Sequence, residues 1–555
     1  MFVSLRCCTL LFLALLFSAC GSDRQEEQAT LVVTDARVWT GNLEMPWAEA
    51  VASQGEQIVA VGSNADVAGW IGMDTEVISM AGSMVVPGMI DTHVHFITGG
   101  SGLASVQLRD AATREEFVAR IGAFAETLEP GEWILNGNWD HENWGGELPR
   151  RDWIDAVTPD NPVWINRLDG HMALANSLAL EEAGVDADSP DVAGGEIVRD
   201  ETGSPTGVLK DNAMGLVERA VPDPGEAQLD RVVAAAMQFV ASNGVTSVHD
   251  MAGWDSLAAY RRAQERGELI TRIYSVMPLA DWERLRDEVA TAGHGDRWLR
   301  IGGLKGFMDG SLGSHTAAFF EPFTDAPDDR GLLVNEVEDM RTWIGGADGA
   351  GLHVMVHAIG DRAIRSLLDI YLDVVEENGE RDRRFRIEHA QHIHPDDIER
   401  FRVQNVIASM QPYHAIDDGR WADKVIGPER AETTYAFRSL IDSGARVSFG
   451  SDWFVAPPTP LEGIYAAVTR RTLDGANPGG WVPQQKLTVE QALAGYTSEA
   501  AYASFEEDSK GMLKPGMLAD FVLLDRDITA IPAEEIRDTK VLKTVVGGRV
   551  VFSGN

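Results

Sequence analysis

The chain has 555 residues, of which 44% are hydrophobic, and its formal net charge at pH 7 is −39. This length predicts two to four domains, and the composition is that of a globular protein rather than a disordered one. The acidic excess excludes the basic footprint that nucleic-acid binding needs, so we expect no nucleic-acid partner.

The first twenty residues have the pattern of an export signal. Arg6 precedes an apolar run over residues 10–17, and small residues follow it. The run is too short for a membrane span and is typical of a secretory signal peptide. The stretch FSAC resembles a bacterial lipoprotein cleavage site. This implies lipidation of Cys20, a polar tether over 21–30 and membrane attachment through the lipid alone, at the outer membrane or periplasmic face. Ordinary cleavage into the periplasm is the alternative.

The cysteines restrict the possible chemistry. The chain has three, Cys7, Cys8 and Cys20, and all lie within or at the end of this signal. A mature chain that starts at Cys20 has no disulfide, no thiol nucleophile and no cysteine metal site. Catalysis must then use His, Asp, Glu, Lys or a metal ion.

Short strands are predicted at both ends of the mature chain, over residues 31–87 and 511–555. Turn-forming Gly and Asn residues separate them, which suits antiparallel sheets. We interpret the two segments as one composite β-sandwich built from both termini.

Residues 88–510 alternate between strand-like and helical patterns. In one helical stretch, Leu229, Val233 and Val240 lie on one face, and the helix is predicted to end at Asn243. A capping box at Thr488 predicts the start of another helix. Eight alternating strands predict the α/β class and a (β/α)8 TIM barrel, whose active site lies at the carboxyl ends of the strands. The strand-like runs are residues 89–95, 245–250, 272–277, 299–309, 352–361, 384–391, 406–412 and 445–452.

The gap between the first two predicted strands is too long for an ordinary connection. Residues 97–244 contain strand-like runs of their own, such as EWILNGNW and PVWINRLDGH. We interpret this segment as an insertion over the barrel mouth that caps the substrate site.

Polar residues at the predicted strand ends form a candidate metal site. His93 and His95 are two residues apart, so on a strand their side chains point the same way. Each polar residue alone has a structural alternative, such as a satisfied histidine or a turn aspartate. Because all of these residues stand at the ends of predicted barrel strands, we expect their side chains to converge at one end of the barrel. The set is His93, His95, Lys305, His357, His389 and Asp452.

Lys305 is the unusual member of this set. A lysine at the end of an inward-facing strand is desolvated, which lowers its pKa. A neutral amine can add carbon dioxide to form a carbamate, N6-carboxylysine. This anionic side chain could bridge two metal ions.

The pattern resembles the amidohydrolase superfamily, in particular its amidohydrolase-3 branch, which includes N-substituted formamide deformylases. The resemblance covers nearly the whole mature chain and lies in a set of segments in the family's order. These are PGMIDTHVHF, RLDGHMALANS, LKGFMDGSLGSHTAAF, VHAIGDRA, RIEHAQ and FGSDW.

The resemblance implies two divalent metal ions, zinc in first place, with manganese or iron also suited to the ligands. His93, His95, carboxylated Lys305 and Asp452 would hold the first ion. Lys305, His357 and His389 would hold the second. Asp452 would also be catalytic, taking a proton from the activated water and passing it to the leaving nitrogen.

Candidate substrate residues come from the insertion and from the strand ends. We expect His171 to be catalytic and to contact the substrate carbonyl or its oxyanion, with Asn176 as a second contact. Aromatic residues near the strand ends would line an apolar pocket, with plain packing as the alternative. These are Trp139, Phe307, Tyr413 and Trp453.

The expected function is metal-dependent hydrolysis of a non-peptide C–N bond in a small molecule, such as an N-formyl, N-acyl or cyclic amide. A deaminase of the same superfamily is one alternative, but it would need a glutamate shortly after His357, where AIGD stands. Lactone hydrolysis, phosphoester hydrolysis and a non-catalytic ligand-binding lipoprotein are the others. The protein could form a homo-oligomer.

Overall fold

Eight parallel strands form the central sheet of the protein in the computed structural model, which describes residues 28–554. The first and eighth strands approach each other through a parallel bridge between Val94 and Trp453, so the barrel is nearly closed. The α/β class and the eight-stranded barrel are confirmed. In chain order the barrel strands are Met89–Val94, Val245–Met251, Arg272–Pro278, Leu299–Phe307, His353–Ala358, Arg386–His389, Ile407–Met410 and Val447–Phe449.

Helices cover the outside of this barrel. The helix Glu226–Ser242 buries the predicted face, including Leu229, Val233 and Val240, and Asn243 caps its end. Thr488 and Gln491 form the predicted capping box. The other helices that follow barrel strands are Trp254–Glu265, Trp282–Ala292, Val337–Gly349, Asp361–Asn378, Ile398–Val403, Phe437–Ser443, Pro460–Thr469, Val489–Gly495 and Ser498–Tyr502.

The segment after the first barrel strand builds a five-stranded sheet with its own apolar core, which includes Phe117 and Ile165. Helix Glu226–Ser242 lies within the predicted range of the insertion but packs in the barrel core. The strands are Ile134–Leu135, Val163–Asn166, Met172–Ala175, Gly195–Arg199 and Pro205–Asp211, and the helices are Phe96–Gly102, Arg114–Ala125, Arg151–Ile154, Ser177–Ala183 and Gly215–Glu218.

The two ends of the described chain meet in one six-stranded sheet. Its strands, in spatial order, are Arg549–Ser553, Val541–Val546, Phe521–Leu524, Met84–Pro87, Arg37–Trp39 and Trp47–Ala48. A four-stranded sheet contains Gln57–Gly62, Ala50–Gln54, Leu31–Thr34 and Glu76–Ser79. Val33 and Val51 of this smaller sheet share an apolar cluster with Val85 and Phe521 of the larger one. The sandwich arrangement itself stays a prediction.

Short helices complete the rim of the barrel mouth after the seventh strand. They are Pro412–Asp418, Ala422–Ile426 and Pro428–Ala431. Between residues 28 and 554, no helix combines the length and the apolar character that crossing a bilayer requires. Cys20 and the predicted signal lie outside the described residues.

Candidate functional site

His93 and His95 lie at the end of the first barrel strand and face the same carboxylate. The Nε2 atoms of His93 and His95 lie 3.5 Å and 3.4 Å from Oδ1 of Asp452. One ligand atom from each of these three residues lies within 4.8 Å of the other two. The alternation of side chains along the strand therefore brings two imidazoles to one point.

Left-handed backbone turns aim two further side chains into this mouth. His389 has φ 73° and Asp452 has φ 61°, a region that residues other than glycine rarely adopt. Glu388, one residue earlier, already faces the barrel interior, so a regular extended backbone would direct His389 outward. With the turn, the His389 ring centroid lies 4.8 Å from that of His93 and 4.6 Å from that of His357.

Lys305 reaches the same group from the fourth strand. Its Nζ lies 3.2 Å from Nε2 of His93 and 4.4 Å from the ring centroid of Phe307. Burial lowers the pKa of Lys305 to about 8. A much larger fraction of the amine is therefore neutral near physiological pH than for an exposed lysine, which is the state that carbamate formation needs.

Three of the histidines each have one ring nitrogen held by a protein acceptor, which leaves the other nitrogen available to the mouth. Metal-ligating histidines typically show this arrangement, because the outer contact fixes the tautomer and the ring orientation. The contacts are His93 Nδ1 to Glu388 Oε2 at 2.6 Å, His357 Nε2 to Gly310 O at 3.1 Å and His389 Nδ1 to Gln411 Oε1 at 2.8 Å.

The charges at the mouth also suit a divalent cation. Burial lowers the pKa values of His93, His357 and His389, so their imidazoles are neutral at pH 7, as metal binding requires. Burial alone would raise the pKa of Asp452, but the adjacent His93 and His95 hold it below its usual value. Oδ1 of Asp452 is buried with no hydrogen-bond partner among the described residues. An unpaired buried carboxylate oxygen is costly, and a bound cation would satisfy it.

His171 extends from the insertion to the edge of this group. Its Nδ1 lies 2.6 Å from Oδ1 of Asp211, and its ring centroid lies 4.9 Å from that of His357. Burial alone would lower the pKa of His171, but the hydrogen bond and negative charge of Asp211 raise it above its usual value. Asp211 thus fixes the ring through Nδ1, and Nε2 of His171 makes no hydrogen bond within the described part of the chain.

His414 lies on the other side of His389, and sequence reasoning missed it. It belongs to the helix Pro412–Asp418 after the seventh strand, and its ring stacks on His389 with centroids 6.5 Å apart. Its Nε2 is buried without a hydrogen-bond partner in the described chain. His389, His414 and Asp452 form a second group whose potential ligand atoms lie within 4.8 Å of one another. Asking which polar side chains follow each predicted strand would have found it.

A cleft with an empty volume of about 480 Å³ opens above these residues. Its lining combines charged and imidazole side chains with apolar ones such as Leu168 and Val455. Arg167 is compensated there by Asp169 at 2.7 Å and by Asp140 at 3.2 Å. The charged and imidazole residues of the lining are Arg167, Asp169, His171, His357, His389, His414, Asp417, Asp418 and Asp452.

Five of the predicted substrate residues do not line this cleft. Trp139 is fully buried and donates its indole N–H to the carbonyl of Ile165. Trp453 packs between Phe96 and Phe239 in the core. Asn176, Tyr413 and Phe307 are the other three.

Asn176 is buried, and both ends of its amide are used within the insertion. Its Oδ1 accepts from the N–H groups of Val163 and Ala179, and its Nδ2 donates to Thr158 and Asn161. It therefore caps the helix Ser177–Ala183 rather than reaching the mouth.

The two remaining aromatic residues lie near the mouth. The guanidinium carbon of Arg109 lies over the ring of Tyr413, 5.7 Å from the ring centroid. Phe307 contacts the rings of His171 and His357, with centroids 6.4 Å and 5.3 Å away, and so borders the metal-ligand candidates without lining the cleft.

A family model described as the amidohydrolase family matches residues 76–552. The chain belongs to the amidohydrolase family. This amidohydrolase is 40% identical over 537 residues to Protein LONG AFTER FAR-RED 3 of Arabidopsis thaliana, covering 94% of this chain and 92% of that one. It is 29% identical over 542 residues to an N-substituted formamide deformylase of Arthrobacter pascens, covering 93% and 97%.

A solved metal-dependent hydrolase from Pyrococcus horikoshii is similar to this amidohydrolase with a TM-score of 0.73 and 28% identity, over 91% of this chain and 99% of that one. Family and structural similarity agree with the donor set at the barrel mouth. The protein is a hydrolase acting on C–N bonds.

Proposed function

We propose that this amidohydrolase cleaves the C–N bond of a small N-formyl, N-acyl or cyclic amide with two divalent metal ions, of which zinc suits the ligands best. The observation that carries the proposal is the convergence of His93, His95 and Asp452 around an unpaired buried carboxylate oxygen. The similarity to a protein named N-substituted formamide deformylase supports the amide class.

His93, His95, Asp452 and a carboxylated Lys305 would hold one metal ion, and Lys305, His357 and His389 would hold the other. Once bound, such ions lower the pKa of a water molecule and polarise a carbonyl group. The lowered pKa of Lys305 supports its conversion to N6-carboxylysine, which would place a negative charge between two cations.

Asp452 is the proposed proton carrier of the reaction. Its carboxylate is ionised, and Oδ1 has no hydrogen-bond partner among residues 28–554. It would accept the proton of the attacking water and deliver it to the nitrogen that leaves. A separate acid is then unnecessary.

His171 and His414 would contact the substrate from opposite sides of the mouth. Asp211 holds Nδ1 of His171, so Nε2 can donate to the carbonyl oxygen, where negative charge develops during attack. His414 presents its unpartnered Nε2 to the same space.

The insertion would shield this site from bulk water. Arg420 in the barrel contacts Asp140 of the insertion at 3.0 Å, and Arg109 of the insertion contacts Asp417 at 3.0 Å. These ion pairs join the two rims of the cleft. A cleft lined by both charged and apolar side chains suits a small amide.

We also propose that the protein is exported and anchored by lipid at Cys20, and that its two terminal β-sheets form a sandwich. The FSAC stretch supports the lipid anchor. The apolar cluster that the two sheets share supports the sandwich. Palmitate labelling that Cys20→Ala abolishes would support the anchor, and unlabelled periplasmic wild-type protein would contradict it.

A substrate panel tests the proposed reaction. Protein lacking residues 1–20, expressed with zinc or manganese, is assayed against formyl, acyl and cyclic amides and against lactones and phosphoesters. We expect turnover of at least one amide class that a chelator abolishes. Turnover confined to lactones or phosphoesters would contradict the C–N assignment.

A further inference from the structure

A buried line of charged side chains runs from His93 into the barrel interior. Oε2 of Glu388 lies 2.6 Å from Nδ1 of His93, and Oε1 of Glu388 accepts a hydrogen bond from Nε of Arg386 at 2.7 Å. Both Glu388 and Arg386 have 0% exposed side chains. They are two residues apart on the sixth strand, so both face inward. The carboxylate therefore gives one oxygen to the histidine and one to the guanidinium.

Arg386 is held from several sides. Nη2 donates to the carbonyl of Thr92 at 2.7 Å and to Oγ of Ser409 at 2.9 Å. Nη1 lies 3.0 Å from Nδ1 of His249. The guanidinium is planar and cannot turn without breaking these contacts. Its charge also compensates that of Glu388, which would be costly to bury alone.

We infer that Glu388 is a positioning residue that holds Nδ1–H of His93 and so aims the lone pair of Nε2 at the metal site, and that Arg386 orients Glu388. The inference rests on the proposed function. A carboxylate can only accept at Nδ1, so this contact excludes the tautomer whose Nε2 carries hydrogen. The outer partner of His389 is the neutral amide of Gln411. Nε2 of His357 lies 3.1 Å from the carbonyl of Gly310 and 3.5 Å from Oδ1 of Asp309. Of these three histidines, His93 makes the shortest contact with a carboxylate, 2.6 Å, against 3.5 Å for His357 and 3.8 Å for His389.

Glutamine at position 388 distinguishes positioning from packing. Its shape matches glutamate, but its amide has one oxygen to offer. Arg386 is a charged donor and takes that oxygen, which turns the NH₂ group toward Nδ1 of His93. Nδ1 must then accept, hydrogen moves to Nε2, and the metal loses a ligand.

The experiment measures zinc affinity by competition with a chelating dye, together with the visible absorption spectrum of the cobalt-loaded protein. We expect Glu388→Gln to weaken zinc binding by about 10- to 100-fold, the usual effect of losing an outer carboxylate. We also expect it to change the cobalt spectrum. The matched control is Glu506→Gln, which breaks a buried ion pair with Lys510, 2.9 Å long, and involves none of the candidate metal ligands. It should leave zinc affinity within about twofold of wild type, since it touches no ligand.

A double variant supplies the rescue. Arg386→Met in the Glu388→Gln background removes the competing donor, so the amide oxygen can face His93 again. Zinc binding should become at least about threefold tighter than in Glu388→Gln, because the two sites interact directly. No recovery, or Glu388→Gln within twofold of wild type, would overturn the positioning role.

Folding failure does not remove the test. If Glu388→Gln is unfolded, Glu388→Asp keeps the charge but withdraws the carboxylate by one methylene, and zinc binding should weaken several-fold. Unchanged affinity would overturn the inference. Wild-type protein that binds no zinc at all would instead overturn the proposed function on which the inference rests.

Discussion

Nε2 of His95 lies 3.4 Å from Oδ1 of Asp452, which joins the first barrel strand to the turn after the eighth. The contact links the two ends of the barrel sheet and places an ionised carboxylate beside histidine nitrogens. A group in this position can ligate a metal and carry a proton, and substitutions can separate these two roles.

Asp452→Asn should keep most of the bound metal and lose turnover. An amide oxygen still coordinates weakly, but it cannot accept the proton of the attacking water. We expect kcat on an amide substrate to fall by about 10²- to 10⁴-fold, as for loss of a general base. Metal content and kcat are measured on the same preparation. A near wild-type rate with full metal content would show that another group carries the proton.

Lys305→Ala should weaken binding of both metal ions, because it removes the anion proposed to lie between them. Activity should fall sharply, and added bicarbonate should not restore it, since no amine remains to be carboxylated. A short carboxylic acid in solution should restore part of it. Metal analysis and rescue kinetics test this. Unchanged binding of two metals would exclude a bridging role for Lys305.

His171→Ala should reduce kcat by about 10²- to 10³-fold without changing metal content, since a donor to the developing oxyanion is lost. Asp211→Asn should have a smaller effect because the amide can still hold the ring. Asn176→Ala is the matched control from the same sequence motif. It removes a buried helix cap, so it should lower the unfolding free energy by about 1–3 kcal/mol and leave kcat unchanged. If Asn176→Ala lowered kcat and His171→Ala lowered only stability, Asn176 rather than His171 would be the substrate contact.

Asp418 should make stability depend on pH. Burial raises the pKa of this carboxyl from 3.8 to about 7, despite a hydrogen bond from Tyr435. The folded state then holds a proton that the unfolded state releases. The resulting stabilisation is complete below pH 3.8 and is lost as the pH rises through about 7.

Asp418→Asn should remove this dependence. The difference in thermal midpoint between variant and wild type should therefore shift in favour of the variant between pH 5 and about 7, and then level off. Midpoints across pH 5 to 9 measure it. A constant difference over this range would show that Asp418 is ionised throughout.

The strand-end residues could be predicted from the sequence because the carboxyl ends of parallel barrel strands meet at one mouth whatever the details of packing. His93, His95, Lys305 and His357 needed only this rule. His389 needed more, since its direction depends on a φ of 73° that the strand pattern does not indicate.

Outer partners could not be predicted in the same way. Glu388 and Gln411 acquire their roles from side chains on other strands, and a single sequence does not show which buried groups pair. Trp139 and Asn176 stand in polar motifs that suggested substrate contact. Both instead satisfy the insertion's own backbone, a role set by local hydrogen bonding rather than by residue type.

The metal content of the purified protein tests the central claim most directly. Protein lacking residues 1–20, expressed with zinc or manganese and freed of loosely bound ions, should contain about two divalent ions per chain by elemental analysis. The Lys305→Ala variant should contain fewer. A wild-type chain that holds no metal would contradict the proposed site, and a stable ratio of one would contradict its binuclear form.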